Sequence, residues 1–103
     1  MKKHINDCTW IELNTLAAKM QGWDSEENEP YDPCHDGQQA MDLLRRFHID
    51  TDYIEDINSY AATAWIHVND ATRIQRFVCI SDTPEIAIVK AVIVSKFGED
   101  VEI

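Results

Sequence analysis

The segment "SDTPEIAIVKAVIVSKFG", residues 81–98, constrains the fold more than any other part of the chain. Its apolar residues leave no wholly polar side, so other structure must surround it. Ile and Val individually favour strands. The boundaries argue for a helix instead. Ser81, Asp82 or Thr83 can cap its start, Pro84 suits the first helical position, and Gly98 suits its end. A length of about fourteen residues points the same way. The expectation is a helix packed deep against a sheet and touching other helices.

The 103 residues suit one domain, 1–103, with a single core. Nineteen Asp and Glu against nine Lys and Arg give a formal net charge of −10. That surplus argues against direct nucleic-acid binding, because phosphate contacts depend on basic side chains. It argues equally against anionic membrane surfaces, and it favours basic partners. No stretch is long and apolar enough for a membrane span. "MKKHINDCTW" has a positive start without an apolar run, so no secretory leader is expected there. Cys8, Cys34 and Cys79 show no CxxC spacing, which favours a reducing, cytoplasmic setting over a disulfide framework.

Upstream, "TWIELNTLAAKMQG" predicts a helix over residues 10–21. Thr9 and Glu12 fit a capping box, Leu13, Leu16, Ala17 and Met20 form one face, and Gly22 can terminate it. The acidic segment that follows contains Pro30 and Pro33 and is expected to be a loop. In "DGQQAMDLLRRFH", Asp36 caps a second helix, with Gln39 at the reciprocal position. Ala40, Leu43, Leu44 and Phe47 form its buried stripe, while Arg45 and Arg46 face solvent. "IDTDYIED" suits a short acidic edge strand. "SYAATAWIHV" and "RIQRFVCI" suit a hairpin joined by "NDAT". Alternation sets Ala62, Ala64, Ile66 and Val68 on one face of the first strand, opposite Thr63, Trp65 and His67. In the second strand it groups Ile74, Val78 and Ile80. The expected fold is α+β: a small, mostly antiparallel sheet of about three strands, helices packed on its faces, in the order α-α-β-β-β-α.

Gly22, Trp23, Pro30, Tyr31, Ala40, Leu43, Leu44, Trp65, Pro84, Ala87 and Ala91 stand in an order that resembles the phage ABA-sandwich domain family of small phage and prophage proteins. The likeness runs along nearly the whole chain and rests on structural landmarks. It implies a helical layer on each side of the sheet and a viral or prophage origin, and it carries over no catalytic residue. The acid-rich first loop departs from the family pattern.

Chemistry is sought first in "DPCHD", which gathers Asp32, Cys34, His35 and Asp36. Zinc-finger spacing and an EF-hand loop are both absent, so no metal is expected. Carboxylates around Cys34 would raise its thiol pKa, whereas a nucleophile needs positive neighbours. There is no phosphate-binding Gly loop and no GxSxG elbow. These readings favour a protein that is not an enzyme and needs no cofactor. Trp10 and Trp65 are expected in the core.

The acids themselves are the remaining feature. Six carboxylates and no Lys or Arg lie between Trp23 and Asp36. Asp50, Asp52, Glu55 and Asp56 form a second cluster, and Glu99, Asp100 and Glu102 a third. Their plain use is solubility. The sharper expectation is a partner-binding surface of Trp23, Asp24, Glu26, Glu27, Glu29, Tyr31 and Asp32. It would dock on a basic groove of a host protein, with the aromatic residues as anchors. By analogy with acidic phage inhibitors, that host protein would be a defence complex. The alternative is a binder of a small molecule or nucleotide signal between sheet and helix. Self-association stays open.

Overall fold

The computed structural model describes residues 2–21, 31–67 and 74–102, with backbone alone for residues 66, 67 and 74–76. In chain order the elements are β1 (Lys2–His4), α1 (Trp10–Gln21), α2 (Gly37–Arg46), β2 (Asp50–Ile54), β3 (Ser59–His67), β4 (Ile74–Ser81), α3 (Pro84–Phe97) and β5 (Asp100–Glu102). Short 3-10 turns at Ile5–Asp7 and Glu55–Ile57 follow β1 and β2.

Helix α3 occupies the centre. Thr83 Oγ1 accepts the Ile86 amide at 3.4 Å, and Pro84 begins the first turn. Gly98 closes the other end at φ 85°, a backbone conformation costly for any residue with a Cβ. Its N–H donates to Val94 O at 2.9 Å. Ala87, Val89, Ala91, Val92 and Ile93 are wholly buried. The helix packs on β3 and β4 and also on α1 and α2. Burial from several directions outweighs the strand preference of its Ile and Val residues.

The other helices start by local capping. In α1, Glu12 Oε1 accepts the Thr9 amide at 2.9 Å and Thr9 Oγ1 accepts the Glu12 amide at 3.2 Å, completing the expected box. Leu13, Leu16 and Ala17 then enter the core. Asp36 caps α2 by accepting the amides of Gln38 and Gln39. Gln39 does more than the reciprocal position suggests, since its Oε1 accepts the Asp32 amide at 2.8 Å. Ala40 and Leu43 are buried, with Leu44 and Phe47 packed partly against the core. The helix ends in a Schellman arrangement. His48 takes φ 54°, and the Ile49 amide reaches back to Leu44 O at 3.0 Å.

Two antiparallel sheets result, β2-β3-β4 and β1-β5. In the larger, Asp50 lies opposite Thr63 and Asp52 opposite Ala61, while Thr63 faces Val78 and Ala61 faces Ile80. The smaller pairs Lys3 with Val101, whose side chain is buried beside a core that also holds Ile5. These terminal strands enlarge the expected order to β-α-α-β-β-β-α-β. The layering also differs from a sheet covered on both sides. Among the described residues, helices α1, α2 and α3 all lie to one side: the sheet, then α3, then α1 and α2. The second face of the sheet has no helix on it among the described residues.

Candidate interaction surface

Of the seven residues expected to form the partner surface, Tyr31 and Asp32 are described; Trp23, Asp24, Glu26, Glu27 and Glu29 lie outside the described residues. Both described members help hold the fold. Tyr31 is half-buried, and its hydroxyl oxygen accepts Gln21 Nε2 at 2.6 Å. Burial pushes its phenol pKa up. Asp32 Oδ1 accepts Asn14 Nδ2 at 2.6 Å, and the carboxylate meets the His35 ring at 3.0 Å. Asn14 Oδ1 in turn accepts the Cys34 amide at 3.1 Å. Asn14, a residue the sequence did not single out, therefore ties residues 32–34 to α1. Its signal was a lone Asn among the apolar positions of an amphipathic helix.

The same knot accounts for "DPCHD". Cys34 is buried with its sulfur 3.7 Å from Trp10 O, and burial first, then Asp32, pushes its thiol pKa up to about 12. His35 packs edge-on against Trp10, ring centroids 4.7 Å apart. Burial also raises Cys79, to about 11. At neutral pH both thiols are protonated, which makes them poor nucleophiles. Among the described residues, no three His, Cys, Asp or Glu side chains are grouped to hold a metal ion.

A different surface emerges on the uncovered side of the sheet. Pleating sends Tyr60, Ala62, Ala64, Phe77 and Cys79 toward α3 and leaves Thr63, Trp65, Val78 and Ile80 on the other face. Trp65, Val78 and Ile80 remain 50%, 47% and 44% exposed. The expected core positions of Trp10 and Trp65 are thus corrected: Trp10 is 46% exposed as well. An indole has a polar N–H, and Trp65 Nε1 directs it to Asp50 Oδ2 at 2.8 Å.

That bond joins the apolar residues of β3 and β4 to the acids of β2. Asp50 and Asp52 are exposed on the same face, and Glu55 and Asp56 continue the acid run beyond the strand. Among the described residues, none of these four carboxylates has a Lys or Arg within ion-pair distance. The face therefore runs from acidic at β2 to the apolar Val78 and Ile80 on β4, where Arg76 takes the next register position on the same face, opposite Trp65. Alternation had grouped Val78 with Ile80 correctly, but not which side of the sheet α3 would take.

Concave regions lie elsewhere on the described surface. A cleft of about 700 Å³ is lined by Gln21, Tyr31, Gln39, Asp42, Arg45 and Arg46. A smaller one of about 220 Å³ lies where β4 meets His4–Asn6 and the end of α3. No helix among the described residues is long and apolar enough to cross a membrane. No family model matches this chain, and no curated protein matches it in sequence.

Proposed function

We propose that this chain is an acidic phage or prophage accessory protein, acting in the cytoplasm of a bacterial host, that binds a basic host protein and inhibits it. In its concrete form the target is a defence complex, of anti-CRISPR or anti-restriction type, engaged through its nucleic-acid-binding surface. In this reading the protein is not an enzyme and uses no cofactor. The observation that carries the binding reading is the exposed acid run Asp50, Asp52, Glu55 and Asp56, which lacks basic partners among the described residues. Exposed carboxylates without a Lys or Arg beside them retain their field for steering a basic partner and can form charge-assisted hydrogen bonds with its Arg side chains. The phage origin rests on the order of sequence landmarks, and the choice of a defence target rests on analogy.

The experiment is affinity capture from host lysate at low and high salt, followed by purification of the captured protein. Charge reversal at Asp50 and Asp52, and separately at Glu26, Glu27 and Glu29, is expected to weaken binding more than reversal at Glu99 and Glu102. Losses no greater than at Glu99 and Glu102 would count against the cluster concerned as a contact.

A second reading, binding of a small molecule or nucleotide signal, draws support from the cleft bearing Arg45 and Arg46 beside Tyr31. It differs in place from the sheet–helix pocket expected from the sequence. Native mass spectrometry separates the readings: a retained anionic metabolite favours the second.

A further inference from the structure

We infer that the outer face of the β2-β3-β4 sheet is a docking surface for one amphipathic helix of the basic partner, apolar along its centre and bearing Lys or Arg on the flank that meets β2. This rests on the proposed binding of a basic protein, and it supplies the surface and the form of the contact.

Geometry sets the size of the occupant. Three strands at about 4.8 Å spacing place β2 and β4 about 10 Å apart, close to the diameter of one helix with its side chains. The opposite face of the same sheet already packs on one helix, α3. Chemistry sets the orientation. Val78 and Ile80 on β4, opposite Thr63 and Ala61, and Trp65 on β3, one row further along and opposite Arg76, offer exposed apolar surface on this face. Across the sheet, Asp50 and Asp52 lie in the same cross-strand rows as Val78 and Ile80. A helix over this face would meet apolar surface on one side and carboxylates on the other. Its charge must therefore be complementary along one flank.

A second copy fits less well. Facing sheets stack about 10 Å apart, comparable with the Debye length at moderate salt, so two chains of net charge −10 would oppose one another. The indole on the middle strand, one row beyond the Asp50–Thr63 pair and bonded to Asp50, also joins the two halves of the surface. Aromatic residues placed in this way commonly dominate the energy of a contact.

The test is titration of the ¹⁵N-labelled protein with a synthetic helical peptide carrying a Leu stripe flanked by Lys. Two controls keep the helix but change one property: a Leu stripe flanked by Glu, and Lys flanks around a Ser stripe. The expected result is shift changes centred on Asp50, Thr63, Trp65, Val78 and Ile80 with the Leu/Lys peptide and much weaker changes with either control. Val78→Thr combined with Ile80→Thr should weaken that affinity about ten-fold or more. Both side chains are exposed, and the mapping on the unaltered protein does not depend on the variant.

Shifts centred elsewhere would overturn the inference, as would equal binding of the Leu/Glu peptide. Equal binding of the Ser-stripe peptide would overturn it while leaving charge-driven partner binding intact. Shifts on this face that grow with protein concentration alone would give the surface to a second copy and overturn it too. Failure of the broader reading is separate: no captured partner would then be salt-sensitive, whatever the peptide does.

Discussion

Asn14 shows how much one side chain contributes to the entry into α2. It is the buried polar residue of α1, and its amide satisfies both Asp32 and the Cys34 N–H. Asn14→Leu would leave that N–H and carboxylate without these bonds. The expected loss is about 1–3 kcal/mol in urea unfolding; an unchanged midpoint would show that the knot adds nothing. The thiols give a second prediction. Cys34 and Cys79 have folded pKa values of about 12 and about 11, against an ordinary 9.0. The unfolded chain therefore loses these protons first as pH rises. Their contribution is fully present below pH 9 and falls between about pH 9 and 12. At neutral pH, a thiol reagent should label both far more slowly in the native protein than in the unfolded one. Mass spectrometry of the labelled peptides checks this.

At the scale of elements, burial separates substitutions that look alike in sequence. Ile93 of α3 is fully buried, whereas Ile80 of β4 is 44% exposed. Ile93→Ala should cost about 2–5 kcal/mol in urea unfolding. Ile80→Thr should fall within about 0.5 kcal/mol of the parent. Similar costs at both sites would contradict the layer order. Much of this architecture was legible because helix ends use local chemistry. Thr9 with Glu12, Asp36, and Thr83 with Pro84 lie within a turn of the amides they serve. The terminal strands were not legible: three residues are too few to show a period, and Lys3 finds Val101 only after the chain folds back. The sheet face was ambiguous for another reason. Both sides of β3 and β4 carry apolar residues, so alternation groups them without choosing the side that α3 covers. Tyr31 and Asp32 were visible as polar members of an acidic segment. Their bonds to Gln21 and Asn14 depend on packing between distant stretches.

For the whole molecule, the proposed partner binding draws on charge and layering. Nineteen acidic residues are balanced by only nine Lys and Arg, and among the described residues one sheet face with acidic and apolar side chains stays uncovered by helices α1, α2 and α3. A partner that binds here must respond to charge as well as apolar contact. The direct measurement is the affinity of the purified captured partner across a NaCl series, for the parent and for Asp50→Lys with Asp52→Lys. The account predicts affinity that falls steadily with salt, and a variant that binds more weakly with a shallower salt dependence. Affinity indifferent to salt and unchanged in the variant would contradict it.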